Sequence, residues 1–421
     1  MKLARRTTNA RIRRRLNAVS CFQCVLLALC FGAVPTMRGI GAEGYRSRQL
    51  NDPNFSTVTV SNDWAFTRVH AQEAWQALHG ATQAVERVVA VIDEATDMNH
   101  VELQDHLWVN QGELGKCGGV DDDHNGFVDD FHGWDFVGRD NSPTTGFLFS
   151  RSQHGTLVAG LVVADHDNGV GIVGMAPNAR IMLLRWHGSG MTLKRKVTAL
   201  SDAVTYALNN DAHIINLSGG IPLVPSRPAD QSYLDKLDLV FRKAWEQGVL
   251  VVCAAGNLGG NLDDQLGLKF WAPAMFSYEN IICVTGSSPQ PEKRVYAWGT
   301  NSVDIAAPGF NIYGPVPKNR FAWSDGSSFA TPLVSGAAAL VWGMMPKLKA
   351  SEVRCLLLST ARPLPPANVV AGEEWGYTPP AKPNSVLDLS FVTDAYDAYL
   401  NGTPYHSCFP ANVKDRVLPN E

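Results

Sequence analysis

Between Val88 and Thr285 the chain alternates short, continuously apolar runs with longer helix-like segments, and no other feature narrows the choice of fold so far. The runs fall at 88–92 (VVAVI), 180–185 (RIMLLR), 213–217 (HIINL), 248–253 (GVLVVC) and 281–285 (IICVT). They do not alternate apolar with polar residues, which is the pattern of strands buried on both faces. Helices expected at about 154–165, 193–210, 231–247 and 328–345 would cover those faces. The expectation is an α/β, three-layer sandwich with a mainly parallel central sheet flanked by helices and right-handed crossovers. Sheets of this kind bind ligands at the carboxyl ends of their strands, so the residues just after each run matter most.

A chain of 421 residues with 45% hydrophobic content can bury a large core, and one large domain with appendages is expected. Residues 1–43 hold eight Lys or Arg against Glu43 alone, with an apolar stretch from Cys21 to Val34. A basic start ahead of an apolar run too short to span a bilayer comfortably reads as a secretory leader, with an organelle transit peptide or an uncleaved signal-anchor as alternatives. Once these residues are set aside from the chain's 36 basic and 40 acidic ones, 28 and 39 remain, a formal net charge of −11 for 44–421. That balance argues against nucleic acid as a partner. A secreted monomer with no stable membrane partner is expected.

Five cysteines lie beyond the leader: Cys117, Cys253, Cys283, Cys355 and Cys408. An odd number cannot all pair, and Cys253 and Cys283 sit in strand-like runs, where Cys behaves as a small hydrophobe. No CxxC outside the leader supports a zinc site. Asn54 and Asn401 head triplets suited to surface glycosylation, whereas Asn216 heads one inside an apolar run, where a glycan would not fit. Residues 362–386 are rich in proline and polar groups and read as an exposed connection to a last helix around 390–400.

Three element ends carry groups that could do chemistry. Asp93 ends VVAVI, His154 opens HGTLVAGLVVA, and Ser328 opens an apolar helix with Pro332 in its first turn. Each has an ordinary use: Asp in a turn, His as a polar contact, Ser as a helix cap. Together they supply an alcohol, an imidazole to take its proton and a carboxylate to orient that imidazole. Asn257, after the run ending in VCAAG, would add an amide donor for an oxyanion at the same sheet edge, where alone it would read as a turn residue. Separately, DDDHNGFVDD at 121–130 spaces carboxylates at alternate positions with Gly sixth, which suits a loop around calcium. Asp121, Asp123, Asn125, the Phe127 carbonyl and Asp129 or Asp130 are its candidate ligands, against a solvated acidic loop as the alternative.

The segments AVIDEATDMNHVEL, SQHGTLVAGLVVA, INLSGG, VCAAGN and DGSSFATPLVSG resemble, in that order, the motif set of the subtilisin-like serine endopeptidases. The resemblance runs from about Asp52 to Ala361 and includes GIVGMAPNARIMLLR and VDIAAPG. It implies a catalytic domain over 44–361, between a leader at 1–43 and a C-terminal extension at 362–421. It also implies peptide-bond hydrolysis through an acyl-enzyme, with Asp93, His154 and Ser328 as the triad and Asn257 at the oxyanion. Protein or peptide substrates would lie extended against Leu217–Gly220 and Val252–Gly256. Ser218, Gly219 and Gly220, facing Ala254, Ala255 and Gly256, suggest an open S1 wall with broad preference for large apolar or aromatic side chains.

The resemblance further implies a second structural calcium shared by Glu102 and Asn168. It implies an inhibitory pro-domain as well, for which the stretch between the leader and Asp52 leaves no room. Departures from the family pattern are Glu94 and Ala95 after Asp93, where a hydroxyl residue and Gly are usual, Leu157 for a second His, and Phe329 for Met. Glu94 is expected to raise the His154 pKa. Glu94, Ala95 and the lack of room for a pro-domain motivate a rival reading, a peptide-binding pseudoprotease with impaired catalysis, whereas Leu157 and Phe329 keep an apolar role. An esterase is disfavoured, because no G-x-S-x-G elbow surrounds Ser328.

Overall fold

The computed structural model describes residues 63–115, 118–144, 153–263, 270–289, 296–363, 385–410 and 413. The leader, Asn54 and Cys117 lie outside them. Helices α1 (Asp63–Arg68) and α2 (Ala71–Gly80) precede β1 (Arg87–Asp93), β2 (Gly133–Asp135), α3 (Gln153–Val163), β3 (Ala179–Arg185), α4 (Leu193–Asn209) and β4 (Ile214–Leu217). Then follow β5 (Ile221–Leu223), α5 (Pro228–Glu246), β6 (Leu250–Ala254), β7 (Phe270–Ala272), β8 (Ile281–Ser287), β9 (Ile305–Pro308), β10 (Ile312–Val316) and β11 (Arg320–Ser324). The last elements are α6 (Ser327–Met344), α7 (Ala350–Ser359), β12 (Arg362–Pro363), β13 (Ser385–Val386) and α8 (Val392–Asn401).

Among the described residues nine strands form one sheet in the order β12-β13-β9-β8-β6-β4-β1-β3-β2, parallel throughout except for the β12–β13 pair. Its strands bury both faces, as their apolar runs require. Val89, Val91, Ile181, Leu183 and Val252 point to the side covered by α3 and α6, and Ala90, Ile92, Met182, Leu184 and Cys253 to the side covered by α4 and α5. Each strand thus divides its residues between two cores with the period of two that a pleated strand imposes. α5 begins three residues ahead of its expected start, since Pro228 suits a first-turn position whose N–H has no partner in any case. Among the described residues no helix is long and apolar enough to cross a membrane.

α6 is buried on every side and crosses the sheet against β1, β4, β6, β8 and β9. Pro332 is its sixth residue rather than part of its first turn. A proline there removes the hydrogen bond that the Ser328 carbonyl would accept. The Ser218 hydroxyl takes its place, donating to that carbonyl at 2.7 Å. Beyond residue 361 the chain returns to the sheet: β12 and β13 form its far edge, and the Leu387 and Leu389 N–H groups donate to Ala306 and Val69 carbonyls. Buried Asp388 pairs with His70 and Arg362.

Candidate active site

β1, β4 and β6 are neighbours in the sheet, and their carboxyl ends deliver Asp93, Ser218 and the 254–257 segment to one edge. α3 brings His154 to the end of β1. Asp93 is buried, and its Oδ1 lies 2.6 Å from His154 Nδ1, while the Glu94 N–H donates to the same oxygen at 2.7 Å. Burial disfavours the imidazolium, but the Asp93 charge and hydrogen bond, with a lesser contribution from Glu94, outweigh it and hold the His154 pKa above its ordinary value. Glu94 pairs with His187 at 3.3 Å, and that hydrogen bond, more than the nearby positive charges, keeps its pKa below the usual range. Glu94 therefore stays ionised beside the imidazole, with the effect on His154 expected from the sequence.

α6 starts at the same edge. The ring of Phe329 lies 5.3 Å from that of His154, and the half-buried Ser328 donates its hydroxyl to the Ser218 carbonyl at 3.1 Å. Asn216, buried in β4, donates to the Ser218 hydroxyl at 3.1 Å and accepts from Ser335 of α6 at 2.8 Å, tying the helix to the strand. Ser327 holds Asn257: its N–H and hydroxyl both donate to Asn257 Oδ1, at 2.9 and 2.8 Å. A backbone N–H can only donate, so this bond fixes which end of the amide is oxygen. Asn257 Nδ2 then faces the helix mouth, 3.2 Å from where a Cβ on Gly326 would stand. Gly326 also has φ +155, and both facts call for glycine.

One side chain from elsewhere in the chain meets both segments expected to wall the S1 site. Trp271 of β7 donates its indole N–H to the Ala254 carbonyl at 3.0 Å. A Cβ on Gly220 would lie 2.6 Å from its Nε1, and one on Gly256 3.5 Å from its ring. The sequence offered no sign of this, because Trp271 is remote in the chain from both walls.

The acidic loop brings together Glu113, Asp121 and Asp123, one carboxylate oxygen of each lying within 4.8 Å of the others. Glu113 is buried and reaches the loop from a turn at Gln111–Glu113, accepting from the N–H groups of Asp122 (2.9 Å) and Asp129 (3.2 Å). Asp121 accepts from the Asn125 and Gly126 N–H groups, at 3.1 and 2.9 Å. Three hard oxygen donors at this spacing fit a calcium-sized cation. The remaining expected ligands have other contacts. Asp129 accepts from the Gly119 N–H, Asn125 points its NH2 at Asp123 and Asp130, and buried Asp130 is held by Asn110 and the Tyr206 hydroxyl. The Phe127 ring packs on Trp134, Phe136 and Tyr206. Glu102 and Asn168 also meet, but through the Asn168 NH2 donating to Glu102 at 3.1 Å, while Asn168 Oδ1 accepts from Val170. That orientation turns away from Glu102 the oxygen a shared cation would need.

The sequence profile described as "Subtilase family" matches residues 86–385. Thermitase of Thermoactinomyces vulgaris is 31% identical over 314 residues, which is 74% of this chain and 91% of thermitase. The thermophilic serine proteinase of Bacillus sp. (strain AK1) is 32% identical over 64% of this chain, which spans 54% of that proteinase. The crystal structure of the epidermin leader peptide processing serine protease from Staphylococcus aureus superposes with a TM-score of 0.60 at 20% identity, over 83% of this chain and 84% of that one, a likeness of fold.

Proposed function

Because the chain belongs to the subtilase family and is a serine-type endopeptidase, we propose that it cleaves peptide bonds with Ser328 as nucleophile, His154 as base, Asp93 as its orienting carboxylate and Asn257 at the oxyanion. The observation that carries this assignment is the 2.6 Å Asp93–His154 contact at the edge where α6 starts, with Ser328 as its second residue. In this reading the Ser328 hydroxyl leaves the Ser218 carbonyl, to which it donates at 3.1 Å, and turns to the imidazole. Its oxygen attacks the substrate carbonyl carbon as its proton passes to His154, and Asp93 steadies the imidazolium. The oxyanion meets Asn257 Nδ2 and the Ser328 N–H at the helix start, the Ser327 and Phe329 N–H groups being taken by Asn257 and the Gly326 carbonyl. His154 then protonates the departing amine, and water repeats the sequence to release the acyl group from Ser328.

Substrate binds extended, through main-chain hydrogen bonds to 217–220 and 252–256, which makes most subsites tolerant of sequence. Asp121, Asp123 and Glu113 are the carboxylates that would hold a calcium ion at the acidic loop, where it would neutralise their mutual repulsion and fix the loop. The protein is read as a secreted monomer. The leader and the Cys355–Cys408 disulfide support an oxidising compartment, and exposed Asn401 is open to glycosylation there. The test is covalent labelling by a fluorophosphonate together with turnover of casein. Both are expected in the folded protein and lost in Ser328→Ala. A folded, calcium-supplied protein that binds peptides but neither reacts nor turns over would favour the pseudoprotease reading.

A further inference from the structure

The walls at 218–220 and 254–256 carry small side chains or none, so the size of residue they admit is set by whatever lies between them. That is Trp271. β7 pairs antiparallel with β5, placing Trp271 opposite Pro222, just past the first wall. The indole then touches both walls. Its N–H is held by the Ala254 carbonyl at 3.0 Å, its Nε1 lies 2.6 Å from a Gly220 Cβ position, and its ring lies 3.5 Å from a Gly256 Cβ position. The Trp271 N–H meets Met275 Sδ at 3.0 Å, so the backbone behind the ring is held as well. No side chain at residue 220 could coexist with this ring position, and no large substrate side chain could share the slot without displacing it.

Trp271 is only partly buried, so part of the residue remains for a substrate to cover. A methyl group can cover that surface, whereas a benzyl or isobutyl group overlaps the indole. We propose that Trp271 floors the S1 site and restricts this endopeptidase to bonds preceded by a small residue: Gly, Ala or Ser. The inference rests on the proposed subtilase reading of the two walls, and it reverses the preference for large side chains that the walls alone suggest.

Chromogenic tetrapeptides that differ only in the residue before the scissile bond test it. For the unmodified protein, kcat/KM is expected to be at least about tenfold higher for Ala than for Phe or Leu, the scale at which pocket size discriminates. Trp271→Gly is expected to reverse the order, with its cooperative thermal transition confirming that the variant is folded. Mapping of cleavage sites in casein by the unmodified protein gives the same answer without a variant, through enrichment of Gly, Ala and Ser before the cut. Equal cleavage after Phe, Leu and Ala would overturn the role of Trp271 and leave the endopeptidase assignment standing. Failure of every substrate, together with absent Ser328 labelling, would remove that assignment and this inference with it.

Discussion

At the scale of single residues, Glu94 is the departure with the clearest consequence. It follows Asp93 in the chain, and its carboxylate, paired with His187, adds negative charge near an imidazole already paired with one carboxylate. The base must be neutral to accept a proton, so a raised His154 pKa moves the acid limb of the activity profile to higher pH. In Glu94→Gln the imidazolium loses part of its stabilisation, and the neutral form persists further into acid. The acid limb of kcat/KM is therefore expected to shift to lower pH, with the alkaline plateau little changed; a limb that stays in place would show that Asp93 alone sets it. This effect was legible in the sequence, because charge acts through proximity and residue 94 adjoins residue 93. The use of the Ser218 hydroxyl was not. It follows from a carbonyl freed by Pro332, 114 positions along the chain.

At the scale of elements, the acidic loop illustrates how a local motif depends on distant support. Spacing proposes Asp121 and Asp123 as ligands, since alternate residues of a tight loop face one point, and a carboxylate oxygen of each lies within 4.8 Å of the other. It gave no sign of Glu113, which arrives from the preceding turn, or of the hydrogen bond from Tyr206 of α4 that anchors Asp130. Chelation of calcium is expected to lower the thermal midpoint. At calcium a hundredfold above Kd the ion would add about 2.7 kcal/mol to stability by mass action. Asp121→Asn should abolish most of that increment and leave the chelated protein close to its starting midpoint, as differential scanning calorimetry with and without calcium would record. No calcium dependence in the unmodified protein would count against the site.

At the scale of the whole molecule, the C-terminal part is fastened to the sheet and to the rest of the core at several points. β12 and β13 extend the sheet, α8 packs on α2, and Cys355 in α7 is disulfide-bonded to Cys408, closing a span of 53 residues. Such a cross-link chiefly restricts the unfolded chain, so Cys355→Ser is expected to cost about 2–5 kcal/mol in chemical denaturation. A loss well under 1 kcal/mol would mean that the packing of α8 alone holds this segment. Cys253 and Cys283 are free and buried, in keeping with their place in apolar strands. The sequence by itself determined the layered α/β fold and the identities of Asp93, His154, Asn257 and Ser328 as candidates, because strand burial and motif order are written in local runs of residues. Only the tertiary structure decided which side chain touches both 220 and 254–256, which cysteines pair and which acid lies beside Asp121 and Asp123. Those contacts join residues far apart in the chain, and their partners are chosen by packing, for which no local pattern exists.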